Sequence, residues 1–164
     1  MKASGDTLSM RGALILQGIV ADGLGEAAHF MLMKWFRSQC RERLGINPSP
    51  GTFNLRMQGE HWQRLRPQLH RRDHAAHPTL TVIPITPPPG FCPASCYPVH
   101  IADTIDAWAI VPHIDHYPDD KLEIIAPINL RTALSLTTGA PVRIAFTPAT
   151  APLAHRHRTE GEQA

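Results

Sequence analysis

Proline is the residue that most limits what this chain can become. There are 16 among 164 residues, together with 11 glycines, and that proline usage is about twice the average. Each proline fixes φ and removes a backbone donor, so it ends or kinks a helix. A bundle of long helices is excluded on that ground. Hydrophobic residues make up 43% of the chain and charged residues 18%, against roughly 25% charged in an average protein. Enough apolar surface is present to offset the ordering entropy of a core, which argues against a disordered chain. The length suits one domain with short tails, expected at 1–11 and 148–164 around a domain at 12–147.

Hydrophobic patterning then supplies the elements. Short apolar or alternating runs predict strands at Ala13–Val20, Thr52–Met57, Thr79–Ile85, Tyr97–Ala102, Ala107–Val111, Leu122–Ala126 and Pro141–Phe146. Leu32, Trp35, Phe36, Cys40 and Leu44 recur at helical spacing among arginines, which predicts one amphipathic helix over Phe30–Leu44, stopped by Gly45 and Pro48. A short second helix is expected near Asn129–Leu134. Residues 58–76 are polar and basic and are read as a connection. Seven short strands with frequent turns predict a mainly β domain, a barrel in preference to a sandwich because closure removes exposed edges.

Charge and cysteines bound the function. Sixteen basic against fourteen acidic residues give a net charge of +2, too small for strong sequence-independent attraction to nucleic acid or to an anionic membrane. The local exception is 64–77, rich in Arg and His and read as a solvated loop or an anion patch. Three cysteines make no disulfide framework, and no secretory signal is evident, so the expected setting is cytoplasmic. Cys92 and Cys96 with His113 and His116 are a zinc set by residue type, without the spacing of an established zinc module. His70, His74 and His77 form another such cluster. No Gly-x-Ser-x-Gly or His-Glu-x-x-His motif occurs.

Three segments carry chemistry. Gly18–Ala28 (GIVADGLGEAA) runs from a strand into a Gly-x-Gly loop, whose amides can cradle a phosphate if Gly23 and Gly25 take positive φ. It lacks the third glycine of a dinucleotide fingerprint and the lysine of a Walker loop. Pro48–Leu55 (PSPGTFNL) places Thr52 and Asn54 on one face of a strand, two hard oxygen donors of the kind Mg²⁺ takes alongside phosphates and water. Asp115–Arg131 (DHYPDDKLEIIAPINLR) carries Glu123 inside an apolar strand, on the face opposite Leu122 and Ile124. There a carboxylate could hold a hydroxyl-rich substrate or accept a proton.

In their order and spacing these segments resemble the CTP-dependent riboflavin kinases, best known from archaea. The residues carrying the resemblance are Gly23-Leu24-Gly25-Glu26-Ala27, LGINPSPGTFNL (Leu44–Leu55), Cys96-Tyr97-Pro98, His116-Tyr117, LEIIAP, LRTALSL and PVRIAF. Together they span about residues 13–146. The resemblance implies a six-stranded cradle-loop (RIFT-like) barrel and transfer of the CTP γ-phosphoryl group to riboflavin, with Mg²⁺ as cofactor. It implies that Gly23, Leu24, Gly25, Glu26, Ala27 and Ala28 wrap the nucleotide's phosphates, and that Ile128, Asn129, Leu130 and Arg131 contact its cytidine. Thr52 and Asn54 would hold the metal, while Asp115 and Glu123 would contact the flavin, with Glu123 the candidate proton acceptor. Ala27 stands where the family has a glycine, Asp115 where it has a hydroxyl residue, and His29-Phe30 where it has a tyrosine after the loop. These departures leave open an alternative, a non-catalytic flavin- or nucleotide-binding module on the same barrel.

Overall fold

The structure, a computed structural model, describes residues 13–23, 30–72 and 79–149. Seven strands form one antiparallel sheet: β1 (Leu14–Ala21), β2 (Phe53–Met57), β3 (Ile83–Ile85), β4 (Ala94–Ile101), β5 (Ile105–Pro112), β6 (Lys121–Ile125) and β7 (Pro141–Phe146). Their order is β3-β4-β5-β6-β2-β1-β7, and β7 returns to pair with β4. Six strands therefore close a barrel and β3 lies outside it, the mainly β barrel that the patterning predicts.

Closure depends on how β4 divides its outer edge. Cys96, Ser95 and Ala94 pair with β3, whereas Val99, His100 and Ile101 pair with β7. Pro98 sits where one neighbour gives way to the other, and its carbonyl accepts from the Thr147 N–H at 3.1 Å. In a strand a residue's N–H and C=O face the same side, so the donor that proline lacks falls where the ladder is changing partners. Pro84 lies in β3, the short outer strand, where a missing donor costs least.

The barrel interior is filled by alternate residues, among them Val20, Leu55, Val99, Ile101, Ala109, Leu122, Ile144 and Phe146. A second apolar cluster lies outside the sheet, where Cys96, Trp108, Ile110 and Ile125 meet Met31, Phe36, Cys40 and Leu44. Strands β4 and β5 are thus covered on both faces.

The helix expected over Phe30–Leu44 is shorter and broken. Helix α1 covers Lys34–Gln39, and the chain continues as a π-helical turn over Cys40–Leu44. Met33 has extended ψ 138, which rotates Leu32 out of the apolar stripe. Leu32 is 58% exposed and Met31 is buried in its place. Gly45 ends the turn at φ 72, and its N–H and that of Ile46 both reach the Cys40 carbonyl, the left-handed stop that glycine permits.

Residues 58–76, expected as a connection, contain helix α2 (Glu60–Leu69). Its buried residues Trp62, Leu65 and Leu69 fall at helical spacing, but Pro67 and the surrounding charges hide the pattern. Pro67 lies inside the helix, where it removes one i→i−4 bond, and the burial of Trp62, Leu65 and Leu69 holds the helix in spite of it. Helix α2 caps the barrel and holds the loop before β6: Trp62 Nε1 donates to the Asp119 carbonyl at 2.9 Å and Arg66 to the Tyr117 carbonyl at 2.9 Å. Of the strand expected over Thr79–Ile85 only Ile83–Ile85 pairs regularly, and Leu80 makes an isolated bridge to Pro148. Helix α3 (Leu130–Ala133) is capped by the Asn129 side chain, which accepts from the Thr132 N–H. Among the described residues no helix is long and apolar enough to cross a membrane.

Candidate active site

Strand register assembles the polar centre. Asn54 on β2 lies directly opposite Glu123 on β6, and Glu123 lies opposite Ile110 on β5. Alternation turns Leu122 and Ile124 into the barrel and leaves Glu123 on the outer face beneath α1. Its side chain is only 12% exposed. The Thr52 hydroxyl donates to Glu123 Oε1 at 3.0 Å, and the Tyr117 hydroxyl donates to Oε2 at 2.5 Å. Lys121 Nζ lies 3.8 Å from Oε2 and 5.5 Å from the centre of the Tyr117 ring. Burial, and then the neighbouring Glu123 charge, push the Tyr117 phenol far above its ordinary range. Both effects favour the protonated phenol, the form that donates to Glu123.

Asn54 is held by its amide nitrogen, which donates to the Thr52 carbonyl at 3.1 Å and to Thr52 Oγ1 at 3.3 Å. Its Oδ1 is buried and has no hydrogen-bond partner. A buried acceptor without a partner costs about 1–3 kcal/mol, so the site stores a demand for a cation or a donor. Thr52 Oγ1 donates one bond, accepts one from Asn54 and retains a second lone pair. Thr52 and Asn54 share one strand face, and hard oxygen donors of their kind suit Mg²⁺, which takes few protein ligands and completes its shell from phosphate and water.

Gly23 closes in from the end of β1. It does not adopt the left-handed φ expected of it; what it needs is room. A Cβ there would lie 2.4 Å from Asn54 Nδ2, so the absence of a side chain lets the backbone approach Asn54. Leu24, Gly25, Glu26, Ala27 and Ala28 lie outside the described residues, and the expectation that they wrap phosphates is not addressed by the geometry. The chain entering that loop is pinned by Arg131, whose guanidinium reaches the Ala21 carbonyl at 3.1 Å, Asp22 Oδ1 at 3.0 Å and Thr138 Oγ1 at 3.1 Å.

Two cavities meet at Thr52. One is a cleft of about 90 Å³ running from Ser49 and Gly51 to Ile128, Asn129 and Arg131. Within it Leu130 is buried and Asn129 is committed to its cap, so contact from this segment would come mainly from backbone, Ile128 and Arg131. The other, about 50 Å³, is walled by Phe30, Trp35, Ile85, Ala94 and Ile110, with Thr52 and Glu123 at its polar end.

Asp115 is placed elsewhere. Its side chain is 85% exposed and pairs with Arg72 at 3.4 Å, in a separate groove with Arg66, His70, His116 and Asp119. Tyr117, which lines that groove and bonds Glu123, links the two regions. Lys121 was not singled out from the sequence, although alternation puts it two positions from Glu123 on the same strand face. The role of Tyr117 was not legible, because a loop folds it back onto β6.

The zinc sets gain no support. Cys96 is fully buried with its thiol pushed well above the ordinary range by burial, the opposite of the thiolate a metal needs. Cys92 is exposed. Among the described residues no group of three or more His, Cys, Asp or Glu is arranged to hold a metal; His74 and His77 lie outside them.

Comparison with known proteins adds an independent line. The family model with the short name CTP-dep_RFKase, described as "Domain of unknown function DUF120", matches residues 20–146. The chain belongs to this family. Curated relatives include proteins named riboflavin kinase from Methanosarcina mazei, 37% identical over 77% of this chain and 53% of the relative, and from Haloquadratum walsbyi, 35% identical over 81% and 56%. Another, from Halobacterium salinarum, is 33% identical over 81% and 57%. The chain spans about half the length of the curated relatives it matches. The CTP-dep_RFKase match includes β2 and β6, the strands that carry Asn54 and Glu123, and Thr52, which directly precedes β2.

One consequence for pH follows from the groove behind Tyr117. His70 packs on the Tyr117 ring at 5.4 Å between centroids, and burial first, then Arg66, His113 and Arg72, lower its pKa to about 4. An unfolded histidine titrates near 6.5. The stability this contributes is present above about pH 6.5 and is lost as pH falls toward 4, because the unfolded chain binds the proton first. Thermal unfolding followed from pH 7.5 to 4.5 should show the midpoint falling through that window, and His70→Gln should flatten that part of the curve. An unchanged slope in the variant would refute the assignment.

Proposed function

We propose that this barrel is the catalytic part of a riboflavin kinase that transfers the γ-phosphoryl group of CTP to the 5′-hydroxyl of riboflavin, giving FMN, CDP and a proton. The observation that carries the reading is the meeting of two dissimilar cavities at Thr52. Phosphoryl transfer requires a donor and an acceptor held in line more than it requires a reactive side chain. The apolar walls of the second cavity have the chemistry to face a flat ring system, and its polar end, at Glu123, suits a polyhydroxylated chain. The cleft bordered by Ile128 and Arg131 lies on the other side of Thr52, beside the end of β1.

On this reading Thr52 and Asn54 hold Mg²⁺, which when bound would neutralise part of the triphosphate charge. The orphaned Asn54 Oδ1 supports that assignment. Glu123 receives the ribityl chain. Each of its oxygens already accepts one hydroxyl, yet each has a further lone pair, so the carboxylate can accept from the attacking hydroxyl and take its proton without releasing Thr52 or Tyr117. Asp115, engaged with Arg72 outside this cluster, is given no part in the transfer. Backbone groups of the Ile128–Arg131 segment offer a means of telling cytosine from adenine, since a mismatched hydrogen-bond pattern leaves buried polar groups unpaired.

The test is direct. Purified protein is incubated with riboflavin, Mg²⁺ and either CTP or ATP, and FMN is separated chromatographically while riboflavin binding is followed by its fluorescence. FMN formed with CTP in excess over ATP is the expected result. Flavin binding without FMN from any nucleotide would replace the kinase with the binding module that the departures at Ala27 and Asp115 leave open.

A further inference from the structure

One residue lining the apolar cavity carries an unanswered donor. Trp35, on α1, lines the cavity together with Phe30, Ile85 and Ile110. The Trp35 indole Nε1 is buried and has no hydrogen-bond partner. Its ring neighbours are Phe30 at 6.0 Å, Phe36 at 5.9 Å and Phe91 at 5.3 Å between centroids. They offer π faces but no lone pair of the kind an N–H seeks. The other two tryptophans are buried, and Trp62 gives its N–H to the Asp119 carbonyl. Trp35 thus differs from Trp62 in lining a cavity and in lacking an acceptor.

A buried N–H without an acceptor is costly, and the cost is recovered if a ligand brings a lone pair. The cavity walls set the rest of the requirement, a flat and largely apolar body. The polar end at Thr52 and Glu123 takes hydroxyls. We infer that Trp35 is a specificity-determining contact for the acceptor, its indole N–H donating to a carbonyl oxygen or imine nitrogen on the edge of a heteroaromatic ring. This rests on the riboflavin reading of the cavity, which it deepens by orienting the ring: the heteroatom edge of the isoalloxazine faces α1, and the methylated edge lies against the aliphatic walls. Trp35 acts in binding and takes no part in the transfer. Its aromatic neighbours Phe30 and Phe91 extend the same wall toward the surface, where Phe91 is 41% exposed.

Trp35→Phe removes the N–H and keeps an aromatic ring against Phe30 and Phe91. Riboflavin affinity, measured by fluorescence quenching without nucleotide, should weaken about five- to tenfold, the worth of one neutral hydrogen bond. KM for riboflavin should rise in parallel, with kcat and its pH profile unchanged. Wild-type protein supplies a second readout that needs no stable variant. Its Trp35 indole ¹⁵N–¹H resonance should move downfield, and its exchange with solvent should slow, when riboflavin is added. If wild type binds riboflavin but the indole resonance is unmoved, or Trp35→Phe binds equally well, the Trp35 assignment is overturned and the kinase reading stands. If wild type does not bind riboflavin at all, the flavin reading of the cavity falls, and this inference with it.

Discussion

Asn54→Ala is expected to lower the rate of Mg²⁺-dependent FMN formation by about a hundredfold or more, the scale seen when one preorganised electrostatic group is removed from a transfer site. Riboflavin affinity should stay within about twofold, because Asn54 does not line the apolar cavity. Stability should change little. The variant loses the amide bonds to Thr52, but it also removes a buried acceptor with no partner, and the two effects oppose each other at about 1 kcal/mol each. Asn54→Asp separates metal binding from packing. A carboxylate there would stand directly across the ladder from Glu123, so the variant should melt lower than wild type without metal and recover as Mg²⁺ is added. Equal losses of turnover and riboflavin binding in Asn54→Ala, or a melting curve of Asn54→Asp indifferent to Mg²⁺, would remove the metal from this position.

Gly23→Ala should be nearly as damaging to turnover by a different route. The added Cβ would fall 2.4 Å from Asn54 Nδ2, closer than packed atoms approach, and 3.2 Å from its Cγ. Either the end of β1 or Asn54 must move. Overpacking of this kind costs about 1–3 kcal/mol, which for a chain of this size lowers Tm by several degrees. The displaced atom belongs to the proposed metal ligand, so the rate should fall by at least about tenfold on top of the stability loss. Gly90→Ala is the control. Gly90 has φ +98 with open space around it, so alanine there brings backbone strain of about 1–2 kcal/mol and should leave the rate intact. Comparable rate losses in the two variants would show that general destabilisation, and not the Asn54 contact, governs the effect.

The same two residues show how far sequence carried the reading. Thr52 and Asn54 were legible because a strand alternates: two positions apart means one face, whatever surrounds it. Glu123 was legible for the same reason, as a charged residue in an apolar run. That Asn54 and Glu123 face each other is a matter of register, which no local pattern encodes. Gly23 was visible as a turn residue, but the reason for it was not, since the atom it makes room for lies on another strand. Helix α2 was hidden because its apolar residues are few and Pro67 lies among them; its burial comes from the barrel end it covers. Leu32 followed the helical period and still faces outward, because the break at Met33 re-aims the preceding turn. Asp115, placed with the flavin by resemblance, is paired in the structure with Arg72, a partner 43 residues away.

The sequence by itself determined the class of fold. Prolines at short intervals and period-two apolar runs leave few options besides a mainly β structure, since both act over a few neighbouring residues. The tertiary structure decided the rest. It sets two cavities on either side of Thr52, it leaves Asn54 Oδ1 and Trp35 Nε1 buried without partners, and it brings Tyr117 onto Glu123. Each depends on distances between residues far apart in the chain, fixed only when strand register and barrel closure are set.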